Sequence, residues 1–320
     1  MKRLFLFLSL IAVLLTVASC SRGQKSTKWQ DTMTTGCIPI ACDQTFEPVI
    51  DAQIAVFETI YPAAGVFPIY TNEVEAIKLL IDDSVRLAVT ARGLTERERV
   101  VFTNKQMVVR ELKIAIDAIA LIVNKENDQS IIGIPTLKKI LTGEITEWKQ
   151  LNPKSKLGKI SVMFDNPNSS TVRYAIDSIT GGQELYEGLY AQKNNQEVLE
   201  MVSQVPGALG IIGVNWISND NDSTQLSFTE KINVLAVSQY ANPDEHSSFL
   251  PFQYQIALGK YPMTRNVYIL LSDPKSGLST GFASFVTSDR GQRIILKSGL
   301  VPAVGYIRIR EVNVHDRYPN

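Results

Sequence analysis

The sequence contains few of the residues that most often build metal sites and nucleophilic sites. Its 320 residues include three cysteines and two histidines. No CxxC pair and no Cys/His cluster with metal-ligand spacing occurs, and neither His246 nor His315 lies in a catalytic motif. The sequence therefore predicts no metal or cofactor site and argues against an enzyme.

Charge of one sign does not predominate. Thirty-two Lys and Arg residues balance thirty-two Asp and Glu residues, and neither a basic run nor a basic-aromatic alternation occurs. Nucleic-acid-binding proteins usually present a basic surface, so no nucleic-acid partner is predicted. The hydrophobic fraction of 45% suits one or two globular domains with substantial cores.

The apolar run at the N-terminus, residues 4–17, is too short to span a bilayer securely. Lys2 and Arg3 precede it and small residues follow, as in a secretory signal. The sequence VASC, ending at Cys20, resembles a bacterial lipobox, in which cleavage precedes a lipid-modified cysteine. The alternative is an ordinary signal peptide with a coincidental cysteine.

We therefore expect residues 1–19 to be a lipoprotein signal peptide. Residues 20–35 would be the lipidated Cys20 and a flexible tether, because that stretch is polar and rich in Ser, Thr, Lys and Gly. This arrangement predicts a protein on the periplasmic side of a bacterial membrane, held there by its lipid.

The two remaining cysteines, Cys37 and Cys42, lie in a stretch that is typical of a strand. Five residues of strand span about 16 Å, whereas a disulfide needs Cα atoms roughly 4.4–6.8 Å apart. We expect both thiols to be free and buried.

Short β-branched runs alternate with helical periodicity along the chain, which predicts an α/β fold with mainly parallel sheets. The most informative stretch is VMFDNPNSSTVRYAIDSI, residues 162–179, which predicts a strand, a turn and a helix. Ser169, Ser170 and Thr171 open this helix. They either cap it or, with its free N–H groups and Arg173, form a seat for a small oxyanion.

Thr45 and Phe46 lie in a second strand–turn–helix arrangement of this kind, between the first predicted strand and a helix that starts near Pro48. A different feature is Asp117, which interrupts the apolar run IAIDAIALIV of residues 114–123. A carboxylate is costly there unless it is paired. Either the chain bends and exposes Asp117, or the run is a crossover strand and Asp117 lies at a cleft.

Several stretches together resemble the substrate-binding component of phosphate ABC transporters (PstS-like proteins). They are RLAVTARGLTERE, IDAIALIVNKEN, IPTLKKILTGEITEWKQLN, NSSTVRY, VPGALGIIGV and YPMTRNVYILL, and their order and spacing match that family from about residue 36 to residue 304. The resemblance implies a type II periplasmic-binding fold, in which two α/β lobes are joined by two crossover strands. Lobe I would comprise residues 36–118 plus 262–320, and lobe II residues 119–261.

The resemblance also implies a monomer that captures inorganic phosphate between the lobes and delivers it to an inner-membrane ABC permease. Nine residues match the family's ligand-binding turns: Thr45, Phe46, Thr90, Ala91, Arg92, Ser169, Ser170, Thr171 and Arg173. Two positions depart from the pattern, because Asp165 replaces an arginine and Ser170 replaces a glycine. These departures leave open an alternative, a related binding protein for another oxyanion or a small metabolite that acts in sensing or uptake.

Asp165 could contribute to selectivity. A carboxylate at the seat can accept a hydrogen bond from monohydrogen phosphate, whereas it repels sulfate, which has no proton. The alternative is that Asp165 points away from the ligand and stabilises the turn.

Overall fold

The computed structural model describes residues 31–218 and 227–304. The predicted signal peptide, the lipidation site Cys20 and most of the tether lie outside the described residues. So does the alternating C-terminal segment after Val304.

The predicted two-lobe α/β fold is confirmed, and the lobes share one continuous sheet. The strands are β1 (Gly36–Asp43), β2 (Ala64–Thr71), β3 (Leu87–Thr90), β4 (Arg110–Val123), β5 (Ile131–Gly133), β6 (Ser161–Phe164), β7 (Tyr190–Ala191), β8 (Ala208–Gly213), β9 (Asn233–Val234), β10 (Ala236–Ser238), β11 (Thr264–Leu271) and β12 (Val301–Pro302). The strand order in the sheet is β2-β1-β3-β11-β4-β8-β6-β7, with β9 and β12 added to β4. A separate ribbon pairs β5 with β10.

Helices cover the sheet in both lobes. They are α1 (Glu47–Ile60), α2 (Glu73–Ile81), α3 (Glu96–Asn104), α4 (Ile134–Leu141), α5 (Ser170–Tyr174), α6 (Asn195–Gln204), α7 (Gln253–Ala257), α8 (Leu278–Thr287) and α9 (Asp289–Lys297). A π-helical turn, Ala175–Thr180, continues α5 without a break, so the helix predicted after Ser169 extends to Gly181, which adopts a φ of +70°. Such a left-handed glycine is a common helix stop.

The sheet is parallel inside each lobe and antiparallel where the chain crosses between them. β1 runs parallel to β2 and β3, and β6 runs parallel to β7 and β8. β4 pairs antiparallel with β11 in the first lobe and with β8 in the second. The long strand β4 therefore joins the two halves of the sheet.

The apolar run around Asp117 is a crossover strand rather than a surface bend. Every residue of β4 from Asp117 to Val123 is buried, because helices cover both faces of the sheet there. The first of the two alternatives for Asp117, a bend that exposes it, is wrong.

One prediction about the cysteines needs correction. Both thiols are free, but only Cys42 is buried, whereas Cys37 is exposed. The first residues of β1 alternate between buried and exposed positions, and Cys37 lies on the outer face. Pro68 lies in β2, an edge strand, where the missing N–H group is tolerated.

Candidate anion-binding site

Two polar turns face each other where parallel strands of the two lobes end. In the first lobe, β1 leads through Thr45 and Phe46 into α1; in the second, β6 leads through Ser170 and Thr171 into the helical segment 170–180. The four residues are fully buried or nearly so. The Oγ atoms of Thr45 and Ser170 are 3.4 Å apart, so the two turns meet. Ligands of open α/β folds characteristically bind at such carboxyl ends of strands.

Arg265, on β11, lies beneath this meeting point and is a residue that the motif reading missed. Its Nε donates to Asp117 Oδ2 at 2.8 Å, and its Nη1 donates to Ser170 Oγ at 2.9 Å. The guanidinium also lies 5.3 Å from the centroid of the Phe46 ring. Burial opposes its charge, but the carboxylates of Asp117 and Asp43 raise the pKa of Arg265, so it is a buried cation.

A sequence signal for Arg265 existed. Asp117 is the one charged residue in the apolar part of β4, Arg265 is the one charged residue of β11, and the pairing of the two strands places them directly opposite each other. A buried carboxylate needs a cation or several donors, and the cation had to come from a neighbouring strand. Predicting the pairing of the two strands would have found it.

The hydroxyl groups at the start of α5 have different partners. Ser169 caps the helix, because its Oγ accepts from the Val172 N–H at 3.2 Å. The same hydroxyl donates to Asp165 Oδ1 at 2.6 Å. Ser170 contacts Arg265, and the Thr171 hydroxyl is buried without a hydrogen-bond partner. The capping interpretation is therefore confirmed for Ser169, whereas Ser170 and Thr171 stay candidates for the oxyanion seat.

Asp165 is buried and both of its carboxylate oxygens have partners inside the second lobe. Oδ1 accepts from Ser169, and Oδ2 accepts from Asn195 Nδ2 at 3.2 Å. This geometry favours the interpretation of Asp165 as a residue that stabilises the turn.

The first lobe is held against the second through the backbone of Thr45. Its carbonyl oxygen accepts from Asn215 Nδ2 at 2.9 Å and from Trp216 Nε1 at 2.8 Å. Gly213 makes this approach possible, since a Cβ there would lie 2.8 Å from Thr45 Cγ2. The cleft is closed in this structure.

Six buried polar atoms at the cleft have no hydrogen-bond partner. They are Asp43 Oδ2, Asp117 Oδ1, Thr171 Oγ1, Asn195 Oδ1, Asn215 Oδ1 and Arg265 Nη2. Buried polar side-chain atoms are nearly always hydrogen-bonded in native proteins. A concentration of exceptions at the meeting of the two lobes indicates a place where a polar ligand completes the bonding.

Burial raises the pKa of three carboxyl groups here, those of Asp43, Asp117 and Asp165. The nearby Arg265 guanidinium opposes the rise in all three. Asp43 and Asp165 also line a small polar cavity of about 220 Å³ together with Tyr70, Asn72, Asn166 and Ser169. This cavity connects residues of both lobes at the mouth of the site.

The two arginines that the sequence predicted, Arg92 and Arg173, lie at the rim of the cleft and already have partners. The Arg173 Nε donates to Glu73 Oε2 at 2.6 Å, and the Arg92 Nε lies 3.4 Å from the same oxygen. Arg92 also makes two hydrogen bonds of 2.8 Å to Glu98. The Glu73 side chain is 1% exposed and accepts from the Ala91 N–H as well. The Thr90 hydroxyl donates to the Arg92 carbonyl at 2.7 Å.

Two larger cavities lie elsewhere in the structure. One, of about 440 Å³, is lined by aromatic rings that include Phe249, Phe252 and Tyr254; the other, of about 350 Å³, is lined by Arg86, Arg110 and neighbours. Neither includes any of the residues predicted to bind a ligand. The smaller polar cavity adjoins the predicted turns.

The pattern G-x-S-x-G occurs at residues 277–281, where Ser279 lies in the first turn of α8. Ser279 is 2% exposed, whereas the one histidine among the described residues, His246, lies on an exposed loop. The pattern is therefore a helix start and not a nucleophile turn.

The described part of the chain contains neither a cluster of metal-binding side chains nor a membrane-spanning helix. Within residues 31–218 and 227–304, no three or more His, Cys, Asp and Glu side chains are grouped so as to hold a metal ion. In the same part of the chain, none of the helices has the length and apolar character needed to cross a bilayer.

A sequence profile of the PBP superfamily domain matches residues 23–290. The chain belongs to the PBP superfamily. Among curated relatives, "Phosphate-binding protein PstS" of Borreliella burgdorferi is 27% identical over 277 residues, which are 82% of this chain and 89% of that protein. The protein of the same name from Bacillus subtilis is 22% identical over 98% of each chain. The resemblance that the motifs predicted is confirmed.

Solved structures of phosphate-binding proteins have the same fold as this superfamily member. A putative phosphate ABC transporter substrate-binding protein from Clostridium perfringens, with bound phosphate, has a TM-score of 0.70 at 20% identity. The aligned region covers 84% of this chain and 100% of the Clostridium perfringens chain. An ABC-type phosphate transport receptor from Vibrio cholerae has a TM-score of 0.62 at 21% identity. The aligned region covers 83% of this chain and 100% of the Vibrio chain.

The structure thus sorts the predicted site residues into three groups. Thr45, Phe46, Asp117, Ser170 and Thr171 converge around Arg265. Ser169 and Asp165 shape the loop, and Thr90, Ala91, Arg92 and Arg173 surround Glu73 at the rim.

Proposed function

We propose that this protein is an extracytoplasmic substrate-binding protein that captures inorganic phosphate between its lobes and delivers it to an inner-membrane ABC permease. The observation that carries the proposal is the buried guanidinium of Arg265, whose Nη2 has no partner, between two helix starts. Guanidinium groups and helix N–H groups are the usual ligands of small oxyanions. The relatives are phosphate-binding proteins, which supports phosphate as that oxyanion.

The proposed ligand set combines the converging residues of both lobes. Thr45 and Phe46 supply a hydroxyl and an amide, Ser170 and Thr171 supply hydroxyls at the opposite turn, and Arg265 supplies the cation. Asp117 supplies an acceptor, because its Oδ1 is free while its Oδ2 is bound by Arg265. Asp117 is thus better placed than Asp165 to discriminate phosphate from sulfate, which carries no proton to donate.

The remaining predictions complete this proposal. We place lobe I at residues 36–118 plus 262–320 and lobe II at residues 119–261, with release by hinge opening of the closed cleft. The protein would act as a monomer without enzymatic turnover, attached to the periplasmic face of a membrane through a lipid on Cys20. Replacing Cys20 with Ala should release the protein from the membrane fraction of the cells that produce it, and retention of the variant there would contradict the lipid anchor.

Calorimetric titration of the purified, extensively dialysed protein tests the ligand. Phosphate should bind with a stoichiometry of one, and sulfate should give no heat. Steady release of phosphate from a generic phosphomonoester in proportion to the pure protein would contradict the absence of turnover.

A second candidate is a binding protein for another oxyanion or small metabolite, in sensing or uptake. It is favoured by one observation, the three buried carboxyl groups that face a single buried arginine. If the titrations show no heat with phosphate but saturable binding of a different anion, this second function replaces the first.

A further inference from the structure

The first described residue, Asp31, is attached to a helix that follows it in the chain by almost 250 residues. Asp31 Oδ1 accepts from the Leu278 N–H, the first of α8, at 2.8 Å. The residue before this helix, Gly277, has no side chain that could cap it. Asp31 therefore caps α8 from a distant part of the chain, and its negative charge is favourable at the positive end of the helix.

Two glycines give the backbone around Asp31 room to lie against α8. A Cβ on Gly277 would overlap the Asp31 carboxylate, and a Cβ on Gly281 would overlap the Met33 carbonyl oxygen. We call residues 31–35 the docked segment, because they pack directly against α8 before β1 begins. The free part of the predicted tether therefore ends at residue 30 and not at residue 35.

The docked segment lies at the end of the first lobe that is opposite the cleft. β1 runs from Gly36, next to the segment, to Asp43 at the ligand-binding turn, and its eight residues span about 23 Å. The loop that leads into α8 follows β11, which is antiparallel to β3, so this loop lies at the same far end. Two independent parts of the chain thus place the segment about 23 Å from the cleft.

This position restricts how a lipid-anchored protein can deliver its anion. A cleft that passes its anion directly to a permease has to turn its mouth toward the membrane. The docked segment then lies at least about 23 Å from the membrane surface, on the far side of the lobe. Eleven residue steps join Cys20 to Asp31, and they reach at most about 40 Å. The chain is long enough for this orientation only if most of residues 21–30 are present.

Resting on the proposed function, we propose that the docked segment fixes the point where the membrane tether leaves the first lobe, and that the length of residues 21–30 allows the cleft to face the permease. Asp31 is then a positioning residue for delivery. Capture of phosphate does not depend on the length of the tether, whereas delivery does. The first lobe is the one held by the membrane, and the second lobe moves relative to it when the cleft opens.

Deletion of residues 23–28 in the full lipidated protein tests this proposal. Five residue steps then remain between Cys20 and Asp31, and they reach at most about 18 Å, which is less than the length of the lobe. Each variant replaces the unchanged protein in the cells that produce it, and the uptake of radiolabelled phosphate that depends on the protein is measured. Uptake should fall about tenfold or more, because the tether cannot span the distance. Phosphate affinity, measured by calorimetry, and recovery in the membrane fraction should stay unchanged.

A variant in which residues 23–28 are replaced by six Gly and Ser residues is the matched control. It keeps the length of the tether and changes its sequence, so it should support uptake within about twofold of the unchanged protein.

Release of the docked segment gives a sharper test, because it returns five residue steps to a shortened tether. Gly281→Ala displaces the Met33 backbone from α8, and Asp31→Ala removes the cap. Alanine is a better helix former than glycine, so Gly281→Ala does not weaken α8 itself. Both changes together in the deletion variant should restore uptake to within about twofold of the unchanged protein. Calorimetry shows whether this variant is folded, and Asp31→Ala alone is the second variant if it is not.

The outcomes separate this inference from the function on which it rests. Absence of phosphate binding, or phosphate uptake that does not depend on the protein at all, would contradict the proposed function itself. Normal uptake by the deletion variant, or a loss of uptake that the length-matched control shares, would overturn the inference. A loss that release of the docked segment does not reverse would overturn it as well, while phosphate binding stayed intact.

Discussion

Arg265 and the rim pair of Arg92 and Arg173 differ in how many of their donors are already used. The rim guanidiniums share the buried Glu73, and Arg92 is also bonded twice by Glu98. Arg265 is buried more deeply, yet it keeps Nη2 without a partner. An arginine that keeps a free donor in a dry cleft is available to a ligand, whereas one saturated by carboxylates holds the protein together. This difference is the reason why we propose Arg265, and not the rim pair, as the cation that binds the ligand.

The largest effect should come from removing the inner guanidinium. Arg265→Met should lower phosphate affinity by about 100-fold or more, because charge-assisted hydrogen bonds contribute roughly 1.5–3 kcal/mol each and Asp117 would lose its cation. Arg173→Met, at the rim, should lower affinity by less than about tenfold. Calorimetry measures both.

Breaking the buried pair with Asp117 can also destabilise the fold, by about 3–5 kcal/mol. Arg265→Lys therefore accompanies Arg265→Met, since it keeps the charge but loses the planar fork. If folded Arg265 variants bound phosphate with unchanged affinity, Arg265 would not differ from the rim arginines as we propose.

An intermediate effect should separate the two adjacent serines. Ser170→Ala removes the hydroxyl that Arg265 Nη1 contacts, and we expect phosphate affinity to fall about five- to tenfold. Ser169→Ala removes a helix cap and should instead cost about 1 kcal/mol of folding stability with a smaller loss of affinity. Thermal melts measure the folding stability of both variants, and calorimetry measures their phosphate affinity. A larger loss of affinity in Ser169→Ala and a larger loss of stability in Ser170→Ala would contradict the roles assigned to the two serines.

A smaller effect is expected from Glu73→Gln. Glu73 on α2 of the first lobe binds Arg173 of the second, so the ion pair favours the closed cleft. Its loss should weaken phosphate binding by about two- to fivefold, mostly through faster dissociation measured by stopped flow. An affinity loss as large as that of Arg265→Met would place the ligand at the rim instead.

The smallest effect concerns Glu98, which is partly exposed. Partial burial opposes its charge, but hydrogen bonds from Arg92 and Thr95 lower the pKa of Glu98 to about 2. Because the folded pKa is depressed below the ordinary value of 4.5, the stabilisation is present above that pH and is lost as the pH falls toward 2. Glu98→Gln should lower the melting temperature slightly at pH 7 and leave it unchanged near pH 2; an equal decrease at both would contradict this account.

The sequence was sufficient to predict the fold and the two polar turns that form the candidate site. Strand and helix periodicity predicted the α/β class and the polar turns after β1 and β6, because these features depend on local chemistry. The two-lobe arrangement was implied by the resemblance of six stretches to a family and not by local patterns. The sequence also placed Asp117 in a crossover strand, as one of two alternatives.

Roles inside the site depended on contacts between distant parts of the chain. Arg265 and Asp117 are 148 residues apart and meet only through strand pairing. The sequence left Asp165 as a candidate ligand, but its Oδ2 accepts a hydrogen bond from Asn195, thirty residues later in the chain. Cys37 was expected to be buried, and only the uncovered face of β1 explains its exposure. Such outcomes require tertiary structure, since no local pattern encodes them.

A crystal structure of the protein grown with phosphate tests the central claim most directly. We predict a single phosphate between the two turns, within hydrogen-bond distance of Arg265 Nη2, the Thr171 hydroxyl and the Asp117 carboxylate. A phosphate bound instead to Arg92 and Arg173 at the rim, with the Arg265 Nη2 still without a ligand contact, would contradict the account.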